Sequence, residues 1–379
     1  MIQRKVDLQH KNTLRLNAIA QAYCEITDLQ SLTQALTHCR EQNLKILPLG
    51  DGSNVILPPH IPFCVFDIKI TGIKPLRETA NAQWVEVGAG ENWHQWVMHS
   101  IAQQWYGLEN LALIPGRVGA APIQNIGAYG CEVNSVVESV NYIAIDDDTH
   151  SDINAESGQP LQIKTLNNAQ CQFRYRDSIF KQALANKVII TSVVFKLAKR
   201  FKPLLTYPAL ADQLPPAQQH TALQVANAVI AIRSSKLPDP AQLPNVGSFF
   251  KNVELNARQL EQFLKQNPNA PHFKAPASAV SLNNSKDIES AAQYRIPAAW
   301  LIDQCGLKGY RSGDIGMHNQ QALVLVHYLD DGSSEQNTNR ENSTSSEQVI
   351  AFAARIADKV KQRFGFELQR EPRLIPARL

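Results

Sequence analysis

GLENLALIPGRVGAAPIQNIGAYGCEV, residues 107–133, is the stretch whose reading decides the fold. It holds five glycines, two prolines and three charged residues, and shows neither a helical nor a strand period. Glycine and proline at this density set unusual backbone dihedrals. A loop this long and this apolar is not solvated in the ordinary way. Gly119, Ala120, Ala121, Gly127, Ala128 and Gly130 remove side chains that would hold a ligand away from the backbone. Backbone N–H groups bared in such a loop form nests that bind pyrophosphate. A buried glycine-rich turn without a ligand is the plainer alternative.

A second loop of this kind lies upstream, in LPLGDGSNVIL, residues 47–57. Gly50 and Gly52 form a Gly-x-Gly turn between apolar runs at 45–49 and 55–57. The third glycine of the dinucleotide fingerprint is missing, no helix pattern follows, and no Gly-Lys-Ser/Thr closes a P-loop. Two phosphate-type loops without either common motif point to a different nucleotide fold.

At 379 residues the chain is long enough for two or three domains. Lys and Arg number 37 against 34 Asp and Glu, which is not the concentrated basic balance of a nucleic-acid protein. The six cysteines include no C-x-x-C pair, so neither a zinc site nor a redox pair is signalled. The first residues lack an apolar signal region, and no run approaches 18 apolar residues. No membrane association and a cytoplasmic location with free thiols are expected.

Along the chain, a helix is expected at about 28–43, capped by Asp28, with strands at 45–49, 55–57 and 64–70. A larger α+β unit follows, with a strand at 84–87, a helix at 93–104 and β-branched strands at 140–145 and 188–197. Asp146-Asp-Asp148 reads as a solvated turn, and the proline-rich 201–219 as a loop. A helix at 224–235 opens a third domain and ends at Lys236-Leu-Pro-Asp-Pro240. Helices are expected at 257–266, 298–305 and 348–364, and strands at 322–327 and from Phe366 to Glu371. Residues 330–347, DDGSSEQNTNRENSTSSE, have no apolar residue to bury and read as an insertion without a catalytic part.

Five blocks in order carry a resemblance: LPLGDGSNVIL, IPGRVGAAPIQNIGAYGCEV, FRYRDSIFK, LPNVGSFFKN and AAWLIDQCGLKGYRSGDIGMH, spanning Leu47 to His318. Together they resemble the UDP-N-acetylenolpyruvoylglucosamine reductase family, in its subgroup with a tyrosine loop. The resemblance implies an α+β chain: a two-part FAD-binding domain of the vanillyl-alcohol oxidase (PCMH) type, then an α+β UDP-sugar-binding domain. The implied divisions are 1–70 and 71–200 for the two flavin-binding parts, and 201–223 for a mobile loop. Substrate binding falls to 224–329, the insertion to 330–347, and the C-terminal helix and strand to 348–379.

The implied reaction uses non-covalent FAD, with NADPH as co-substrate. NADPH gives hydride to FAD, and reduced flavin gives hydride from N5 to the enolpyruvyl ether of UDP-N-acetylglucosamine. The product is UDP-N-acetylmuramate, a peptidoglycan precursor. Hydride addition pushes charge onto the neighbouring carboxylate. The resemblance assigns Arg176 to stabilise that enolate, Ser248 to supply the proton, and Glu371 to hold the intermediate. Glu371 stands in LQREPRL, a departure from the family's Leu-Glu-Pro-Glu-Val-Arg context. Flavin contacts are expected from Gly50, Gly52, Ser53, Asn54, Pro115, Gly116, Gly119, Ala120, Gln124, Asn125, Gly127, Ala128, Tyr129 and Gly130. UDP-sugar contacts are expected from Tyr175, Tyr207, Lys236, Asn252 and Gln304. No metal and no nucleic acid are implied, and a monomer is expected. Another FAD enzyme of the same superfold would share the loops but not the Tyr-Arg-Asp-Ser and Gly-Ser-Phe-Phe-Lys-Asn blocks. A non-catalytic binding protein would need neither Arg176 nor Ser248.

Overall fold

The computed structural model describes residues 2–145, 161–215, 219–275, 294–329 and 344–376. The Asp146–Asp148 turn and most of the 330–347 insertion lie outside them.

Three sheets carry the fold. The first orders Gln3–Asp7, Ile19–Ile26, His60–Ile68 and Ile46–Leu49 side by side. Its last three strands run parallel, and Leu29–Glu41 is the helix that crosses between them. The second is antiparallel, in the order Lys164–Asn167, Val137–Ala144, Val188–Ala198, Ala82–Gly88, Ile73–Glu78. The Trp93–Ala102 helix lies against it, with Trp93 and Trp96 centred 6.1 and 5.5 Å from Phe195. The third orders Asn245–Ser248, Val324–His327, Ile315–Met317 and Arg311–Ser312. A small sheet of Val253–Leu255, Tyr294–Ile296 and Phe273–Lys274 stands beside it.

Local sequence sets the helix starts. Asp28, Thr221, Asn256 and Ser345 each close a reciprocal capping box, and Asn92 caps by a single bond. Each such cap contributes about 1 kcal/mol. The last helix is Ser346–Phe364, so the end of the expected insertion belongs to its start: Thr344 and Ser346 are buried. Gly365 stops that helix in the left-handed conformation at φ 76°.

Two readings are corrected here. The helix expected to open the third domain, Ala222–Lys236, buries Val225, Ala226, Val229 and Ile232 in the core that holds the first two sheets. Its apolar period was legible, but not which core would take it. The strand expected from Phe366 to Glu371 reduces to one bridge, between Phe250 and Arg370. The ladder forms two residues later, where Arg373–Leu374 pairs in parallel with Val55–Ile56.

That C-terminal segment ties the parts together. Lys251 N–H donates to Gln369 O and Glu371 N–H to Phe249 O, at 2.8 and 2.9 Å. Arg373 N–H then donates to Asn54 O at 3.0 Å. The chain therefore runs directly from the third domain's strand to the upstream glycine loop. Near the N-terminus, Leu14 and Leu16 pack in the third domain's core.

Candidate active site

The two glycine loops meet in one cleft, lined by Gly50, Ile68, Arg117, Gly119, Ala120, Ile123, Phe180, Asn186 and Arg373 among others. Gly52 has φ 62°, and a Cβ there would stand 2.3 Å from Lys11 O. A Cβ on Gly119 would stand 2.6 Å from Ala89 Cβ. Neither position tolerates a side chain, because the loops press on backbone behind them. Arg117 joins the loops: its Nε pairs with Asp51 at 2.5 Å and its Nη1 donates to Ile68 O at 2.8 Å. The long loop is buried, as its composition required, but it is not formless. Short 3-10 turns at Glu109–Leu111 and Val118–Ala120 and a pairing of Gly127–Ala128 with Cys131–Glu132 shape it.

Within this cradle the expected flavin residues divide. Ser53 Oγ donates to Pro115 O at 3.4 Å, and Asn54 pairs with Gln124 through their amides. Gly116 at φ 115° leaves room for that serine. Asn125 is fully buried and its side chain is committed. It donates to Glu132 Oε2 and Arg174 O and accepts from Asn134 N–H. Its side chain therefore braces the loop, and its carbonyl accepts from Arg176 Nη1 at 3.5 Å. Gly130 and Tyr129 lie under the tyrosine-loop segment: a Cβ on Gly130 would stand 2.6 Å from Thr206 Oγ1. Tyr129 meets Tyr207 edge-on at 5.2 Å. A cradle of bare backbone with an arginine at each side, Arg117 and Arg373, fits a dinucleotide with its pyrophosphate.

The three catalytic candidates converge. Arg176, at φ 53°, turns its guanidinium under the long loop, and Nη2 donates to Gly127 O at 2.7 Å. Its Nε lies 3.0 Å from Glu371 Oε1, with side chains 17% and 10% exposed. The contact is ionic and not an aligned hydrogen bond, because the buried Nε–H finds no acceptor in line. Burial pushes the guanidinium pKa down, but the Glu371 carboxylate, Tyr175 and Glu132 outweigh it and leave it raised. Arg176 is therefore a permanent cation, paired with Glu371 and tied to the Asn125 and Gly127 carbonyls. Ser248 ends the strand Asn245–Ser248, one residue before the carbonyl that accepts Glu371 N–H. Phe249 and Phe250, both buried and 5.2 Å apart, fix that strand end.

The sugar-binding candidates are less gathered. Tyr175 is half-buried beside Arg176 and accepts Asn252 N–H at 3.3 Å through its hydroxyl. Asn252 Oδ1 caps the Ala298–Gln304 helix by accepting Ala298 N–H at 3.0 Å. Gln304 sits at the other end of that helix, about 9 Å away along its axis, and is exposed. Lys236 is exposed in the last turn of Ala222–Lys236, and Tyr207 is 41% exposed.

Sequence reasoning passed over several residues. Lys181 donates to Arg176 O at 3.2 Å. Burial, helped by the Lys251 charge, holds its pKa below the ordinary lysine value. Arg233 Nε donates to Leu113 O at 3.2 Å, and the arginine lies beside Tyr129. Arg295, Glu132 and Arg373 were passed over as well. Each is a single charge in a segment without period, and only the fold brings it to the site.

Two glycine loops set between two sheets, with a buried arginine–carboxylate pair beyond them, define a flavin-dependent oxidoreductase. Residues 20–151 match the family model of an FAD binding domain, and residues 239–375 that of the UDP-N-acetylenolpyruvoylglucosamine reductase C-terminal domain. The chain is 41% identical over 372 residues to the UDP-N-acetylenolpyruvoylglucosamine reductase of Chromobacterium violaceum, covering 98% of both chains. To the reductase of Pasteurella multocida it is 40% identical over 369 residues, covering 97% of this chain and 96% of the relative. The solved UDP-N-acetylenolpyruvylglucosamine reductase of Thermus caldophilus shares the fold over 99% of both chains, at TM-score 0.62 and 19% identity. The chain belongs to the UDP-N-acetylenolpyruvoylglucosamine reductase family. It is an FAD-containing, NADPH-dependent enzyme of peptidoglycan precursor synthesis.

Proposed function

We propose that this chain reduces the enolpyruvyl ether of UDP-N-acetylglucosamine to UDP-N-acetylmuramate, with Arg176, Ser248 and Glu371 as its catalytic residues. The observation that carries this reading is the largely buried Arg176–Glu371 pair, 3.0 Å apart, with Glu371 N–H bonded to the carbonyl of Phe249, the residue after Ser248. The two glycine loops would hold FAD, which would supply the hydride chemistry linking NADPH to the terminal alkene carbon. Arg176 brings its guanidinium charge to the substrate carboxylate, where charge develops as an enolate. Such a preorganised donor contributes about 3–4 kcal/mol to lowering the barrier. Glu371 keeps the cation in place and compensates it until substrate arrives. Ser248 delivers the proton to the carbon next to the carboxylate, a contribution of about 10²–10⁴-fold.

On this reading the chain divides by task as follows. Residues 1–70 and 71–200 form the flavin-binding parts, joined by the Ala222–Lys236 helix, and the remaining residues to 329, with 348–379, serve the substrate. The bare loop backbone holds FAD non-covalently. Tyr207, Lys236, Asn252 and Gln304 receive the UDP-sugar. No helix among the described residues is long and apolar enough to cross a membrane. The reading takes the protein as a cytoplasmic monomer acting on its two small substrates.

Ser248→Ala tests the reading. Flavin bleaching by NADPH should stay near the normal rate, while re-oxidation by the enolpyruvyl substrate slows by about 10²-fold or more. If both half-reactions survive unchanged, Ser248 only fills the space beside Phe249 and has no part in the chemistry.

A further inference from the structure

Arg295 reaches from the strand Tyr294–Ile296 in the third domain to the flavin loop, and it is 7% exposed. Its guanidinium lies flat over the Tyr175 ring, 3.5 Å from the centroid. Its Nε donates to Glu254 Oε1 at 3.1 Å, and its Nη1 stands 3.6 Å from Glu132 Oε1. Glu132 Oε2 accepts from Asn125 at 2.8 Å. Glu132 is also a neighbour of Arg176: a Cβ on Gly127 would stand 2.9 Å from Glu132 Cγ and 3.1 Å from Arg176 Nη1. The two groups are thus within about 6 Å, close enough for opposite charges to compete for each other. Arg176 therefore has two acidic neighbours, Glu371 and Glu132, and only Glu132 is claimed by another arginine.

We propose that Arg295 is a positioning residue for Arg176: it holds Glu132 aside and clamps Tyr175, leaving Arg176 free for Glu371 and the incoming carboxylate. The inference rests on the reading of Arg176 given above. A buried carboxylate stripped of its partner seeks the nearest cation. Without Arg295, that cation is Arg176, and Glu132 then competes with the substrate carboxylate. Arg295 itself touches neither reacting atom nor flavin loop backbone in this role. It works through the charge it removes from Arg176's surroundings and through the ring it presses next to Arg176.

The test uses the holoenzyme and the two half-reactions. In Arg295→Met, bleaching by NADPH should be unchanged, while re-oxidation by the enolpyruvyl substrate slows about tenfold or more. Adding Glu132→Gln to Arg295→Met should restore most of that loss, because the competing charge is gone. Arg295→Lys, which keeps the charge but not the flat stack, should show the same split at smaller size. It also serves if Arg295→Met does not fold with flavin bound. A purely architectural Arg295 would slow both half-reactions together and gain nothing from Glu132→Gln, and either result overturns the proposal. Normal re-oxidation in both Arg295 variants overturns it as well. Failure of the unaltered enzyme to reduce the enolpyruvyl substrate would instead overturn the functional reading.

Discussion

The corner around Arg176 and the set of residues expected to hold the UDP-sugar are built in opposite ways. In the corner, segments near 127, 176, 249 and 371 are locked by backbone hydrogen bonds and an ion pair whose side chains are at most 17% exposed. In the sugar set, Tyr207, Lys236 and Gln304 are exposed and sit at element ends. A group that must meet developing charge cannot reorganise at the moment of reaction, so it is fixed beforehand. A group that only binds can be collected by the ligand itself, at some cost in side-chain entropy. On the proposed reading, barrier-lowering falls to the first region and affinity to the second.

Arg176→Met should break the comparison most visibly. It removes the carboxylate's partner and leaves Glu371 buried and unpaired, which costs about 3–5 kcal/mol of stability. Re-oxidation of reduced flavin by substrate should fall about 10³-fold, as stopped-flow absorbance would report, with NADPH bleaching spared. Lys236→Ala and Gln304→Ala sharpen the other side. Each should raise the substrate dissociation constant about tenfold, the worth of one charge-assisted hydrogen bond. The limiting rate at saturating substrate should hold. A fall in that rate at unchanged affinity would place these residues in the chemistry and erase the distinction.

The smallest effect concerns the scaffold beneath both regions. His94 Nδ1 accepts Leu113 N–H at 3.1 Å, and the Leu113 carbonyl in turn accepts from Arg233. Burial holds the His94 pKa below its ordinary value of 6.5. The unfolded chain therefore binds the proton more readily than the folded one. The stabilisation is full above the unfolded pKa and is lost as pH falls through the folded value. Thermal melts between pH 7.5 and 5.5 should show a falling Tm in the unaltered protein. The slope should flatten in His94→Leu, which loses about 1 kcal/mol at the upper pH.

Much of this architecture could be read beforehand, and the reasons differ by residue. The glycine loops announced themselves because unusual dihedrals demand unusual residues. Arg176 and Ser248 sat in distinctive local blocks. Glu371 stood in an altered context, and its place is fixed by a distance to Arg176 that local sequence does not carry. Arg295 and Arg373 were silent because a lone charge has the same local pattern whether it faces water or crosses a domain boundary. The misplaced strand near Phe366 shows the same limit. Alternation marks an extended chain, but the partner edge at Val55–Ile56 decided which residues pair. Asn125 carries a role that its block did not signal: its side chain braces the loop.

Glu371→Gln tests the central claim most directly, since it keeps the shape of the corner and removes only its charge. Reduced enzyme is mixed with rising concentrations of the enolpyruvyl substrate, and the flavin re-oxidation rate is followed to saturation. A corner that lowers the barrier predicts a half-saturation point near that of the unaltered enzyme and a limiting rate lower by about 10²-fold. An unchanged limiting rate with a half-saturation point raised by the same factor would contradict it. That result would make Glu371 and its arginine a binding site for substrate and nothing more.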